Sequence, residues 1–88
     1  MKYVYILHSS KSDGFYIGST QNIQDRIQAH NAGTVASTNP YKPWRVVWYA
    51  AFEANKLASD FEKYLKSGSG RAFAYKRFVQ SGVSKKDK

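Results

Sequence analysis

Hydrophobic and polar residues near the N-terminus are arranged in a way that predicts a β-hairpin. Two runs rich in β-branched and aromatic residues, 3–8 and 15–19, flank a polar segment that ends in Asp13 and Gly14. Val, Ile and Tyr favour strands, and an Asp-Gly pair favours the turn that joins them. A third run of the same kind, residues 44–52, predicts one further strand.

Between and after these runs the apolar spacing becomes that of helices. Ile23 and Ile27 stand four residues apart after Asn22, a good N-cap, and Gly33 marks the end of this helix near residue 32. A second helix is predicted from residue 54 or 55 to the Ser67-Gly68 pair. Its apolar face would consist of Leu57, Ala58, Phe61 and Leu65. After a break at residues 67–70, a third helix is predicted over residues 71–80, which gives the order ββαβαα.

The length and composition indicate one small folded domain. A chain of 88 residues, 42% of them hydrophobic, supplies apolar surface for a single core. We expect that domain to span residues 1–82 and residues 83–88 to form a flexible basic tail. The absence of cysteine excludes disulfide-stapled folds and thiolate zinc sites, and favours the cytoplasm. The early apolar run is too short for a signal peptide or a membrane span, so no membrane segment is expected.

The charge of the chain points to a polyanionic partner. Fourteen Lys and Arg residues against six Asp and Glu give a formal net charge of +8. Ten of the basic and four of the acidic residues follow Trp44, so the excess lies in the second half. Phosphate binding by such a surface weakens as salt is added. The alternative is that many of these lysines only keep the protein in solution.

Five residues remain as candidates for chemistry, because the sequence contains no zinc-protease, nucleophile-elbow or P-loop motif. They are Tyr5, Tyr16, Arg26, His30 and Glu62. Together they offer a base, cations and a metal-binding carboxylate, the groups that phosphodiester cleavage needs. Taken singly, each has an ordinary alternative as a half-buried strand aromatic, a solvated helix residue or, for Glu62, an ion-pair partner of Lys66.

Short motifs in a fixed order connect these candidates. Along the chain stand YVYIL at 3–7, YIG at 16–18, R-x-x-x-H-N at 26–31, P-W at 43–44 and A-x-x-x-E-x-x-x-K at 58–66. In this order, the sequence up to about Phe78 resembles the small stand-alone bacterial members of the GIY-YIG nuclease superfamily, of the UPF0213 kind. Tyr3 stands where the first motif usually has glycine, which these small members tolerate.

The resemblance implies an α/β (α+β) fold with a small three-stranded antiparallel sheet flanked by helices. It also implies a role for each candidate residue. Tyr5 would act as general base or orient the attacking water, and Tyr16 would bind the scissile phosphate or a metal-bound water. Arg26 would neutralise the phosphate, and His30 would transfer a proton or activate Tyr5. Glu62 would bind a divalent ion, Mg²⁺ or Mn²⁺.

The function implied is that of a metal-dependent endonuclease acting on DNA, with repair or recombination as its setting. A nucleic-acid-binding module that cuts only with a protein partner, or not at all, is the main alternative, and a basic protein-interaction domain is a third. Side chains alternate along strands, so Tyr5 and Tyr16 share a face only if odd positions of the first strand pair with even positions of the second, as they do when Tyr5 lies opposite Gly18. The site is expected on the sheet face where the Arg26 and Glu62 helices meet it. Trp44 and Trp48 are expected to share one face of the third strand and to pack on helices.

Overall fold

The computed structural model describes residues 1–76, and their elements follow the predicted order ββαβαα. The strands are β1 (Lys2–Ser9), β2 (Phe15–Thr20) and β3 (Trp44–Phe52). The helices are α1 (Ile23–Ala32), α2 (Asn55–Lys66) and α3 (Gly68–Ala74), with a short 3-10 turn at Asn39–Tyr41. The α+β class with three flanking helices is therefore confirmed. The predicted continuation of α3 to residue 80, the domain end at residue 82 and the tail at 83–88 lie outside the described residues.

The strands form one antiparallel sheet in the order β2-β1-β3. β1 takes the central place because its residues from Val4 to Ser9 are all buried, so it needs cover on both faces and a neighbour on both sides. Tyr5 lies opposite Gly18 in the β1–β2 pairing, the register that the sequence required for a shared tyrosine site. β2 is consequently an edge strand, open to solvent along one side.

Alternating residues of β1 pack in two different layers of the molecule. Val4 and Ile6 pack with Ala58 and Leu65 of α2 and with Ala74 of α3. On the opposite face, a second cluster is formed by Tyr5, Leu7 and Trp44, with Tyr16, Ile23, Ile27 and Val46 around it. α1 and α2 therefore cover opposite faces of the sheet. The expectation that both helices meet the sheet on one face was wrong, because neighbouring positions of a strand point to opposite sides.

A β-bulge divides β3 and changes the face that its aromatic residues occupy. Ile6 lies opposite Trp48, but the next residue of β1, Leu7, lies opposite Val46, so Val47 is an extra residue. The insertion breaks the two-residue alternation. Trp44 packs in the Tyr5 layer and Trp48 in the Val4 layer. The prediction that the two tryptophans share one face was therefore wrong.

The connection between α2 and α3 is tighter than the sequence suggested. The Ser67 side chain accepts a hydrogen bond from Gly70 N at 3.2 Å, so Ser67 caps a helix that already begins at Gly68. Gly70 lies against the carbonyl of Tyr64, where a Cβ would clash. The small residues taken for a break are therefore the first turn of α3. Leu57 is also not part of the core, since 60% of its surface is exposed.

Two caps and one side chain fix α1 against the sheet. Asn22 accepts from Asp25 N at 3.0 Å, and Gly33 ends the helix with a φ of 84°, as predicted. Asn31 lies within the last turn and hydrogen-bonds both backbone groups of Trp44, with 2.9 Å from Nδ2 to the carbonyl oxygen. Asn31 therefore anchors α1 to β3. Across residues 1–76, no helix has the length and apolar character needed to cross a bilayer.

Candidate active site at an edge of the sheet

A pair of tyrosines from β1 and β2 forms the floor of the candidate site. The Tyr5 and Tyr16 rings lie 6.4 Å apart between centroids, with their planes tilted by 35°. Gly18 lies opposite Tyr5, and a Cβ added there would be only 2.6 Å from Tyr5 Oη and 3.1 Å from Tyr16 Cε2. The glycine of the second motif is therefore needed for space, since its missing side chain leaves room for the Tyr5 hydroxyl.

α1 brings His30 and Arg26 over the same face. His30 is fully buried, and its Nε2 atom lies 3.2 Å from Tyr5 Oη, within hydrogen-bonding distance. The Tyr16 ring meets the imidazole edge-on at 5.0 Å between centroids. Burial, with the nearby charge of Arg26, lowers the pKa of His30 below its usual value of 6.5. The imidazole is therefore neutral at pH 7 and has a lone pair available.

Thr38 occupies the far side of the imidazole. Its hydroxyl Oγ1 lies 2.7 Å from His30 Nδ1 and 3.3 Å from the carbonyl oxygen of Val35, to which it donates. Only 1% of the Thr38 surface is exposed. Both ring nitrogens of His30 are therefore engaged within the protein, one by Tyr5 and one by Thr38.

The Arg26 guanidinium lies between the two tyrosines. Contact with the Tyr5 hydroxyl, together with the proximity of Tyr16, raises the pKa of Arg26, so it is a permanent cation. Within residues 1–76, its buried Nε atom has no hydrogen-bond partner. A buried donor without a partner costs free energy unless a ligand satisfies it. The position suits an oxygen of an anion.

Tyr5 is protonated in the resting protein. Burial raises the pKa of its hydroxyl above 10.0, and the neighbouring Tyr16 and Glu62 add to the rise, while the Arg26 contact and charge partly oppose it. Only 2% of the Tyr5 surface is exposed, whereas Tyr16 is half-buried. Tyr5 can therefore accept a proton only if it gives up its own at the same time.

Glu62 reaches the site from the other face of the sheet. Its Oε1 atom accepts from Ser19 Oγ at 2.7 Å and its Oε2 atom from Lys66 Nζ at 2.8 Å. Burial works against ionisation, but the hydrogen bonds from Lys66 and Ser19 and the charges of Lys66 and Lys2 outweigh it and lower the pKa of Glu62. The carboxylate is therefore charged at neutral pH, beside the edge strand that carries Tyr16 and Gly18.

The donor set at Glu62 fits a divalent cation that keeps most of its water. Within residues 1–76, no group of three or more His, Cys, Asp or Glu side chains comes together. Mg²⁺ is commonly held by one or two carboxylates, with water and substrate phosphate filling the other positions. Glu62 is ionised, and its Lys66 partner is an exposed side chain that can move aside. A single-carboxylate site of this kind is therefore compatible with the structure.

A cavity of about 350 Å³ opens beside this carboxylate, between the sheet and the α2–α3 corner. Its polar wall includes Lys66 and Arg71, and its aromatic wall includes Phe15 and Tyr75, whose rings meet edge-on at 5.9 Å between centroids. Cations beside aromatic rings suit the phosphates and bases of a nucleic acid. Tyr16 of the candidate site also lines this cavity.

Four of the five predicted residues come together directly, and the fifth faces them around the edge of the sheet. Tyr5, Tyr16, Arg26 and His30 share the α1 face, whereas Glu62 is linked through Ser19. Sequence reasoning missed Ser19 and Thr38. Ser19 follows Gly18 and so had to point to the α2 face, a signal that strand alternation supplied. No sequence signal marked Thr38 within its loop.

Comparisons with known proteins identify the family of the chain. Residues 1–76 match the family model described as the GIY-YIG catalytic domain. A UPF0213 protein of Clostridium perfringens is 40% identical over 67 residues, which is 75% of this chain and 71% of that protein. The solution NMR structure of a UPF0213 protein from Bacillus halodurans superimposes with a TM-score of 0.55 at 28% identity, covering 93% of this chain and 92% of the other. The protein therefore belongs to the GIY-YIG nuclease family.

Proposed function

We propose that this protein is a divalent-metal-dependent endonuclease that hydrolyses phosphodiester bonds in DNA. The observation that carries the proposal is the buried Nε atom of Arg26, which has no hydrogen-bond partner within residues 1–76, next to the Tyr5–His30 pair. A packing role gives no reason to bury an unpaired cationic donor beside ionisable groups, whereas a bound phosphate oxygen would satisfy it.

In the proposed reaction, Tyr5 is the general base and His30 takes up its proton. The oxygen of a water molecule attacks phosphorus, its proton passes to Tyr5 Oη, and the Tyr5 proton passes to His30 Nε2. The bond from phosphorus to the leaving oxygen breaks with its electron pair, and that oxygen takes a proton from a second water molecule. The raised pKa of Tyr5 makes this coupled transfer necessary, because a resting tyrosinate is not available. His30 is fully buried, so Tyr5 is the better placed of the two to meet the water.

Arg26 and Tyr16 would bind the phosphate in this reaction. The guanidinium presents donors in a planar fork that matches two phosphate oxygens, and it compensates the negative charge that grows on them. Tyr16 is half-buried, and its hydroxyl can donate to the same phosphate or to a water near it. The two side chains would orient the scissile bond above Tyr5.

Glu62 would hold the divalent cation, with Ser19 fixing one carboxylate oxygen. Mg²⁺ or Mn²⁺ bound there would supply positive charge to stabilise the phosphate in the transition state. The cations that line the neighbouring cavity, Lys66 and Arg71, would bind the DNA backbone on either side of the cut.

Cleavage of supercoiled plasmid and of branched DNA with Mg²⁺ tests the proposal. We expect Arg26→Gln and Glu62→Gln to lower the rate by about 10²- to 10³-fold, the usual cost of losing one transition-state contact. Lys11→Gln and Glu53→Gln remove the same charges at exposed positions and should cut like the wild type. Unchanged cleavage by both site variants would refute the proposed site.

The binding-only alternative gives a different result in the same assays. A non-catalytic module would shift DNA on a gel at low salt, release it as salt rises, and leave plasmid and branched DNA uncut with either Mg²⁺ or Mn²⁺. A protein-interaction domain would not shift DNA at all. The unpaired Arg26 donor favours a phosphate ligand over a protein-interaction role, and the Tyr5–His30 pair beside it favours the nuclease over binding alone.

A further inference from the structure

We propose that Thr38 is a positioning residue that sets the tautomer of His30 so that Nε2 can take the proton of Tyr5. This inference rests on the proposed function above, in which His30 receives that proton. Thr38 belongs to none of the motifs that carry the chemistry. It lies in the loop between α1 and β3, and its side chain does not reach the opening of the site.

The Thr38 hydroxyl has a single proton to donate. Oγ1 lies 3.3 Å from the Val35 carbonyl oxygen, which can only accept, and a hydroxyl proton directed there gives Thr38 a partner for both its donor and its acceptor. With its proton so placed, Oγ1 accepts a hydrogen bond from His30 Nδ1, 2.7 Å away. The hydrogen-bond pattern thus assigns the proton of the neutral imidazole to Nδ1.

A proton on Nδ1 leaves the Nε2 lone pair free to face Tyr5. At 3.2 Å, Tyr5 Oη can then donate to Nε2, which is the direction that proton transfer requires. In the other tautomer, Nε2 carries the proton and donates to Tyr5, so the transfer is blocked. After His30 accepts the proton, its Nδ1–H still donates to Thr38, and no group has to rearrange.

The backbone around Thr38 holds the hydroxyl in place. Trp44 Nε1 donates to the Thr38 carbonyl at 3.0 Å, and Thr38 N donates to Val35 O at 3.1 Å. Thr38 is 1% exposed, although its neighbours Ser37 and Asn39 are exposed. The ionisable groups that face the imidazole are Tyr5, Tyr16 and Arg26, and none of them can accept a hydrogen bond from Nδ1 in place of Thr38.

Nitrogen-15 NMR of the histidine rings tests the inference directly, because the two tautomers give opposite shifts at Nδ1 and Nε2. We expect wild-type His30 at pH 7.5 to carry its proton on Nδ1. Thr38→Ser keeps the hydroxyl and should keep this tautomer. Thr38→Val removes the acceptor, and we expect the proton to move to Nε2. Thr34→Val, which removes an exposed hydroxyl from the same loop, is the matched control and should behave like the wild type.

DNA cleavage provides the second readout. We expect Thr38→Val to cut about a hundredfold more slowly, in the range of general-base contributions, and Thr38→Ser to cut within about threefold of the wild type. An Nε2–H tautomer in the wild type, or an Nδ1–H tautomer retained in Thr38→Val, would overturn the inference. If Thr38→Val does not fold, the wild-type spectrum alone still shows which nitrogen of His30 carries the proton and so tests the inference.

The two readouts separate this inference from the proposed function. If the tautomers are as expected but the wild type cuts no DNA, Thr38 still sets the proton position and the nuclease proposal fails. If the wild type cuts DNA and Thr38→Val does so at the same rate with its tautomer changed, the nuclease proposal stands and the role of Thr38 in proton transfer is refuted.

Discussion

Replacing Gly18 with alanine perturbs the Tyr5–Tyr16 pair directly. The added Cβ would lie 2.6 Å from Tyr5 Oη, about 0.8 Å less than the 3.4 Å at which ordinary contact begins. The Cβ would also lie 2.8 Å from Tyr5 Cζ, and Gly18 is held in the pairing of β1 with β2, so the Tyr5 ring must shift by most of that amount within its packed surroundings. The 3.2 Å separation from His30 would lengthen to about 4 Å, beyond hydrogen-bonding range.

We expect Gly18→Ala to fold with a modest loss of stability and a large loss of activity. Overpacking costs about 1–3 kcal/mol, and the lower entropy of the unfolded chain returns about 0.4–1 kcal/mol, since Gly18 does not have the positive φ of Gly33. The net destabilisation is therefore about 1–2 kcal/mol. A displacement near 1 Å at a reacting group should slow cleavage by about a hundredfold.

Urea unfolding measures the first effect and plasmid cleavage the second. Gly68→Ala is the matched control, because a Cβ at Gly68 meets no atom within 4 Å. This variant should retain full activity and equal or slightly exceed the wild type in stability. Wild-type cleavage rates in folded Gly18→Ala would show that the position of the Tyr5 hydroxyl does not matter, and the reasoning would fail.

Three further predictions follow from the same contacts. The lowered pKa of His30 means that the unfolded chain binds more protons than the folded one below about pH 6.5, so the free energy of unfolding should fall as the pH is lowered from 7 towards that pKa. Urea unfolding at several pH values should therefore show a steeper dependence of this free energy on pH for the wild type than for His30→Gln, and equal dependence would contradict the pKa shift. Ser19→Ala removes a hydrogen bond to the charged form of Glu62, so a carbon-13 NMR titration should find the pKa of that carboxyl raised, and no change would mean that the bond is not formed in solution. Asn31→Ala leaves the backbone of Trp44 without its partners and should cost about 1–3 kcal/mol in thermal or urea unfolding, whereas a wild-type midpoint would show that α1 does not depend on this anchor.

The sequence predicted the parts of the fold that depend on local chemistry. Asn22 caps α1 and Gly33 ends it, because both act through hydrogen bonds or a backbone angle within one turn. Strand alternation gave the pairing of Tyr5 with Gly18 as a condition for a shared tyrosine site, and the register of β1 and β2 meets it. The residues of the α1 face were therefore predictable as a group.

Features that depend on packing between distant segments were not predictable in the same way. Leu57 and Ala58 are neighbours on α2, about 100° apart around the axis, and only contact with the sheet decides that Ala58 is the buried one. The start of α3 at Gly68 depends on how closely Gly70 approaches Tyr64. Thr38 comes to His30 through the path of a loop that carries no periodic pattern.

The extra residue in β3 places the large apolar side chains of its two ends in different layers of the molecule. Trp44 and Val46, which precede the extra residue, pack in the layer of the tyrosines, whereas Trp48 and Phe52, which follow it, pack in the layer of α2 and α3. Substitutions of Trp48 or Phe52 would then mainly affect folding, whereas substitutions of Trp44 or Val46 would affect the packing around the site. Deleting Val47 would remove the unpaired residue while Trp48 stays opposite Ile6 and Trp44 stays opposite Ser9, so a shortened β3 would be expected to keep its pairing with β1 and to leave both tryptophans on their present faces.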